Sequence, residues 1–280
     1  MPGDTRRING PEETFYPPKF AVGVDIDSKH TLLDENGRRA DDRNHDQLRP
    51  VFVQAGVISK AKGSAYIEIG QTKVMCAVYG PRQVARREDF SMNGQLSCEL
   101  KYATFSTQRR RSHQLDNHDK DMSVIVMETL EPAVCLDKFP KAIVDVFVTV
   151  LQDDGSALAA AITCASVALA DAEIEMYDIV IGTTVRQTDE TMILDPTNEE
   201  EYKPQVRNCE SINNGMVTIG YLPSLNQISC SALVGQMLLE NISQAVKVAV
   251  TSCLKIYPVV QKTILESVKQ KRSKTTSTNS

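Results

Sequence analysis

The chain has 280 residues, 41% of them hydrophobic and 24% charged; these ordinary globular proportions exclude a wholly disordered chain and a fibrous repeat. At roughly 150 residues per domain the length admits two domains, or one large α/β domain with disordered ends. With 36 acidic against 31 basic side chains the net charge is -5, so a polyanionic partner would have to be met by local basic patches.

Met1 to Asn9 is polar and contains arginine, with no apolar stretch behind it, which argues against a secretory signal and for an intracellular protein. Residues 1–45 are rich in Pro, Gly, Asp, Arg and Asn and are expected to form an extended or disordered arm. Strand signals bounded by turn residues follow at Val51–Val57, Ser64–Ile69, Thr72–Tyr79, Leu96–Phe105 and Ile143–Leu151. Between the last two, Met122–Leu136 has a roughly helical apolar period with Pro132 as a bend or late break. Asp153, Asp154, Gly155 and Ser156 read as a turn and cap before Ala157–Ala172, a helix of small residues that is apolar nearly all round and therefore expected to sit deep. Its least polar stretch, Ala157 to Ala170, is interrupted by Thr163 and Ser166 and falls short of the ~20 residues that cross a bilayer, so no membrane association is expected. Asp178–Arg186, Met216–Tyr221 and Gln227–Leu233 read as strands, and Leu238–Gln270 as an amphipathic helix bent at Pro258. Residues 269–280 read as a basic, polar, disordered tail. This order of elements predicts an α/β or α+β layered domain over residues 46–268.

Common chemistry-bearing motifs are missing. There is no Gly-rich dinucleotide fingerprint, P-loop, His-Glu-x-x-His or nucleophile elbow. The seven cysteines are an odd, scattered set and read as reduced, mostly buried thiols, so no zinc site is expected. His113 and His118 are five positions apart and would not share a helix face. Asp195 with Glu199, Glu200 and Glu201 has the oxygen ligands a divalent metal needs, although a charged loop explains them better. Two basic groups, Arg82, Arg86, Arg87 and Lys101, Arg109, Arg110, Arg111, follow predicted strand ends; phosphate contact and solvated charge fit them equally on spacing alone.

Four separated stretches carry a resemblance. Gly63-Ser64-Ala65-Tyr66-Ile67-Glu68-Ile69-Gly70-Gln71-Thr72-Lys73-Val74, running to Tyr79-Gly80-Pro81-Arg82, is followed by Ala103-Thr104-Phe105-Ser106, by Val150-Leu151-Gln152-Asp153-Asp154-Gly155-Ser156 and by Ala168-Leu169-Ala170-Asp171-Ala172. Together they resemble the RNase PH family of phosphorolytic RNA-trimming enzymes over about residues 48–265. Leu48-Arg49-Pro50-Val51, Leu130-Glu131-Pro132-Ala133-Val134 and Leu194-Asp195-Pro196-Thr197 are similar to the RNase PH-like ring subunits of the eukaryotic RNA exosome. The resemblance implies a two-layer α/β (α+β) domain of βαβα type, like ribosomal protein S5 domain 2. It implies a hetero-hexameric ring with other RNase PH-like exosome subunits, contact with an RNA-binding cap subunit, and single-stranded RNA as the molecule conducted. The nucleus, nucleolus and cytoplasm are the compartments it implies.

The resemblance also allows the site to be read residue by residue. In active relatives the Asp-Gly turn leads into a hydroxyl residue and often an arginine that grip phosphate at the helix start. Those places fall on Ala157 and Leu158 here, beside Gly155 and Ser156, and neither side chain can bind an anion. The acidic pair that holds metal in active relatives falls near Glu201 and Gly215, where only the first is an acid. The expectation is a subunit with no catalytic residue, no metal and no cofactor, using Lys101, Arg109, Arg110 and Arg111, then Arg82, Arg86 and Arg87, toward RNA phosphates. The alternative is an active phosphate-dependent exoribonuclease whose site a ring partner completes.

Overall fold

Alternation builds the first sheet. Ala65, Ile67 and Ile69, then Val74, Cys76 and Val78, and later Val144, Val146, Val148 and Val150 are all buried, each two positions from the next, as a half-buried strand requires. The structure is a computed structural model describing residues 39, 41–84, 91–107, 110–188, 191–202 and 213–278, with side chains at all of these but 202 and 274–278. Strands β1 (Val51–Ala55), β2 (Gly63–Ile69), β3 (Thr72–Gln83), β4 (Gln95–Tyr102) and β5 (Ala142–Gln152) form a sheet of order β1-β2-β3-β5-β4, in which only β4 and β5 run parallel. Strands β6 (Ile181–Thr188), β7 (Thr191–Leu194), β8 (Asn214–Leu222) and β9 (Gln227–Gln236) form an antiparallel sheet of order β7-β6-β8-β9. Helices α1 (Asn117–Leu130), α2 (Ala157–Asp171), the short α3 (Asn198–Tyr202) and α4 (Leu239–Thr278) complete a mixed α/β fold.

Helix α2 is the centre of the packing, and its small residues explain how. A Cβ at Gly63 of β2 would lie 2.2 Å from the Ala172 nitrogen and 2.4 Å from the Ala168 carbonyl, while one at Gly182 of β6 would lie 2.5 Å from the Ala159 carbonyl. Both sheets thus approach the α2 backbone at distances that exclude larger side chains. Gly63→Ala is expected to destabilise the fold by about 1–3 kcal/mol through overpacking, read as a lower urea midpoint at unchanged slope.

Every long element lies where its sequence signal places it, with shifted ends. Helix α1 begins earlier than its apolar period suggests, because Asp116 caps it, its carboxylate accepting the Asn117 N–H at 2.8 Å, and Asp119 supplies negative charge in the first turn. It ends at Leu130, and Pro132 opens a 3-10 turn, Glu131–Ala133, where a missing N–H costs least. Helix α4 runs through Pro258 and continues to Thr278, so residues 269–278 extend the helix where a disordered tail was expected; Lys, Gln and Arg are good helix formers, and Lys271 ties this stretch to Asp171 by an ion pair at 3.0 Å. Of the expected N-terminal arm, residues 1–38 and 40 lie outside the described residues. Strand β7 and helix α3, at 4 and 5 residues, carry too few positions for a period and escape sequence reading. No helix among the described residues is long and apolar enough to cross a membrane.

Candidate functional site

The β5–α2 turn, Asp153 to Ser156, is where helix amides would face an anion. It is held from three directions. Thr72 at the start of β3 accepts the Asp154 N–H at 3.2 Å and donates its hydroxyl to the Gly155 carbonyl at 2.7 Å. Arg49, just before β1, donates to the Asp154 and Gly155 carbonyls at 2.7 and 3.1 Å. The segment after β7 closes the third side: a Cβ at Gly155, whose φ is +83°, would lie 2.4 Å from the Pro196 carbonyl. Glycine is therefore required there both for conformation and for space.

Ser156 caps α2 in an unusual way. Its φ of 55° and ψ of 27° place a non-glycine residue in the left-handed region, and its hydroxyl makes no capping bond to the helix. The hydroxyl donates instead to the Pro196 carbonyl at 3.2 Å. The Ser156 N–H is taken by the Glu201 carboxylate at 2.7 Å. The Glu201 side chain of α3 is thus seated against the last amide of the turn. Ala157 is buried, and Leu158 is half-buried and packed on the core, so neither presents a polar group to this position.

Burial pushes the Glu201 carboxyl up to about 7; the Ser156 amide opposes the shift and the nearby Asp153 adds to it. The backbone carbonyl of Glu201 accepts from Arg186 Nη1, and Arg186 Nη2 reaches Asn214 Oδ1 at 3.2 Å. A guanidinium consequently lies between residue 201 and the start of β8. Gly215 pairs with Gln187 of β6 and Gly235 of β9, and a Cβ there would meet Met237 at 2.6 Å, which leaves no room for an acidic side chain without movement. Asn213 is likewise occupied, its Oδ1 accepting the Leu238 N–H at 3.0 Å. Among the described residues no group of His, Cys, Asp and Glu side chains could hold a metal ion.

Beneath the turn lies a buried ionic network that sequence reasoning did not single out. Arg49 binds Asp195 bidentately, Nε to Oδ2 at 2.9 Å and Nη2 to Oδ1 at 2.6 Å, and its own N–H adds a third bond at 3.0 Å. Burial would raise the Asp195 carboxyl, but the bonds and charge of Arg49 outweigh it and hold the group below its ordinary value. Arg39, 1% exposed, grips Glu200 through Nε at 2.8 Å and Nη2 at 2.5 Å and also bonds the Leu194 and Asp195 carbonyls. Glu200 in turn accepts the Thr197 N–H at 2.7 Å. The described end of the N-terminal arm is therefore packed against the segment that carries Glu201.

Next to the turn opens a cleft of about 560 Å³ lined in part by Lys73, Phe105, Ser106, Asp153, Asp154 and Asn198. It holds two carboxylates and one cation, a poor balance for a phosphate. The basic residues expected to meet RNA are spread around β4 and its following loop. Lys101 lies half-buried on β4, and Arg110 is exposed. Arg111 stacks over the Tyr102 ring at 4.0 Å and pairs with Asp119 at 3.2 Å. Arg82, at the far end of β3, pairs with Asp145 at 2.6 Å. Arg86, Arg87 and Arg109 lie outside the described residues.

Comparison with known proteins agrees with this architecture. The model of the 3' exoribonuclease family, domain 1 (RNase PH), matches residues 47–175. The human exosome complex component MTR3 is 36% identical over 97% of this chain and 98% of its own. The chain belongs to the RNase PH family. Another member, the exosome complex component Rrp41 of the archaeon Cenarchaeum symbiosum, is 36% identical over 85% of this chain and 95% of its own. Rice Rrp46 superposes with a TM-score of 0.68 at 23% identity, covering 81% of this chain and all of that one. The Archaeoglobus fulgidus exosome with RNA bound to its active site gives 0.68 at 22% identity, over 80% of this chain and 92% of that one. These two structures share the RNase PH fold with the chain.

Proposed function

We propose that the chain is a non-catalytic ring subunit of the RNA exosome, one that supports 3'-to-5' RNA processing and decay by helping to conduct RNA to nucleases on other subunits. The observation that carries the loss of catalysis is the Glu201 carboxylate on the Ser156 amide. Phosphorolysis needs inorganic phosphate as the attacking group, held where helix amides and polar side chains converge. Here an internal carboxylate already takes that amide, Ala157 and Leu158 add no donor, and a second anion beside Glu201 and Asp153 would be repelled. The place of a metal fares no better, since Arg186 puts positive charge between Glu201 and Asn214. No catalytic residue, metal or cofactor is assigned.

Near full-length similarity to MTR3 supports the exosome role and, with it, the ring of RNase PH-like subunits, a cap subunit and single-stranded RNA as partners. The nucleus, nucleolus and cytoplasm are the compartments that follow. The test is phosphate-dependent release of nucleoside diphosphates from single-stranded RNA. The purified chain is expected to release none above background. Robust release, abolished by Glu201→Ala, would overturn the reading in favour of a phosphorolytic enzyme.

The basic residues divide by how free their charge is. Arg111 and Arg82 are already engaged by Asp119 and Asp145. Lys101 and Arg110 have no such carboxylate neighbour among the described residues and are the candidates for phosphate contact, together with Arg109, Arg86 and Arg87. In the assembled ring, replacing Lys101, Arg109 and Arg110 by alanine is expected to flatten the dependence of RNA affinity on salt, by about 0.7 unit of log-log slope for each single-strand phosphate no longer neutralised. The double change of Arg82 and Arg111 should flatten it less. Equal slopes in all three proteins would make these residues ordinary surface charge.

A further inference from the structure

A serine is open to a protein kinase when its hydroxyl is exposed, its backbone is free of helix and sheet bonds, and cations before it in sequence meet the carboxylates by which many kinases select substrates. Among the described residues two serines directly follow a pair of cations, Ser112 after Arg110-Arg111 and Ser273 after Lys271-Arg272. Ser273 lies inside α4 and donates its hydroxyl to the Gln270 carbonyl at 2.8 Å, so the helix would have to unwind before a kinase could seat it.

Ser112 meets all three conditions. It is exposed and lies between β4 and α1, in backbone that is neither helix nor strand. In sequence it follows Arg109-Arg110-Arg111. Arg110 is exposed, whereas Arg111 is fixed: its N–H donates to the Thr104 carbonyl at 3.1 Å, and its guanidinium stacks over Tyr102 at 4.0 Å and pairs with Asp119 at 3.2 Å. The chain leaves that anchor at Ser112, whose hydroxyl oxygen accepts the Gln114 N–H at 3.2 Å, a bond that does not use the hydroxyl proton.

We propose that Ser112 is the substrate of an arginine-selecting protein kinase and that its phosphate withdraws Arg110 from RNA; the second half rests on the RNA role proposed above. The Ser112 oxygen bonds to the γ-phosphorus of ATP as the bond from that phosphorus to the β-phosphate oxygen breaks; ADP leaves, and the hydroxyl proton passes to the kinase's base. The product carries about −1.5 to −2 charge at pH 7. Its partner is set by what surrounds it in sequence. Residues 113–119 contain no lysine or arginine and include Asp116 and Asp119, so the new charge is repelled from that side and drawn back to Arg110. A phosphate there does to Arg110 what Asp119 already does to Arg111.

Incubation of the folded full-length chain with ATP and the catalytic subunit of cyclic-AMP-dependent protein kinase, followed by peptide mapping, tests the site. Phosphate is expected on Ser112, with none at that position in Ser112→Ala and severalfold slower labelling of it in Arg110→Ala. Labelling of a peptide spanning residues 106–116 but not of the folded chain would overturn the site. RNA affinity is then compared in rings assembled from the unmodified and the phosphorylated chain. Losing one single-strand phosphate contact lowers affinity about fivefold at about 0.1 M salt and flattens the log-log slope by about 0.7 unit, and that is the difference expected, reversed by phosphatase. A Ser112 phosphate that leaves affinity unchanged, where Arg110→Ala weakens it, would overturn the switch. If Arg110→Ala leaves it unchanged as well, the RNA role of this corner falls and the switch with it, while the modification site stands. Exclusion of the phosphorylated chain alone from the ring would overturn the RNA switch in favour of control of assembly.

Discussion

Arg49→Met is expected to destabilise the protein by about 3–5 kcal/mol, the usual consequence of removing one partner from a buried, hydrogen-bonded ion pair. The magnitude follows from what the change would leave behind. Asp195 is 4% exposed, and without Arg49 it would keep only the more distant Arg43, at 3.7 Å, as a cation. The Asp154 and Gly155 carbonyls would each lose a donor at the same time. Urea unfolding at pH 7 reads the loss. A second variant separates the ion pair from the packing: Arg49→Met with Asp195→Leu removes the stranded charge and should recover a large part of the difference. The pH dependence has a definite sign. Asp195 is held below its ordinary value when folded, so the stability it contributes is present above the unfolded carboxyl value of 3.8 and disappears as pH falls through the folded one. The parent should therefore lose stability below about pH 4 more steeply than the double variant.

Glu201→Gln is expected to have the opposite effect. The unfolded carboxyl releases its proton near 4.5 and the folded one near 7, so between these values the folded state holds more protons and stability falls as pH rises. Above about pH 7 the deficit is constant, at about 3 kcal/mol for a shift of this size. Glutamine keeps an oxygen to accept the Ser156 N–H and carries no charge to bury. The variant should match the parent near pH 4.5 and exceed it by about 2–3 kcal/mol at pH 8, measured by urea unfolding at the two pH values. A parent no less stable than the variant at pH 8 would show that Arg49 and Arg186 neutralise Glu201 more fully than burial penalises it.

The fold was legible because its signals are local. Alternation at Val144 to Val150 and the small, unbroken apolar run of α2 each lie within one window of sequence. The candidate site was legible in part: that Ala157 and Leu158, at the positions where the family resemblance implies anion-binding groups, offer no polar side chain can be read from residue type alone. The replacement was not. That Glu201 would turn back onto Ser156, 45 positions earlier, depends on α3, an element too short to have a period. Arg39 and Arg43 sit in a polar arm whose composition argues for disorder, and only their partners 161 and 152 positions away reveal them as buried. A single sequence contains no trace of such pairings.

The Arg49 guanidinium also bears on the order in which the molecule assembles. It closes loops of 23, 105, 106 and 146 residues onto one group. Closure entropy grows only slowly with length, but every such contact must wait until the intervening chain has already condensed. The corner beside the turn is thus a late step of folding, and a nascent chain cannot complete it until residue 195 has left the ribosome.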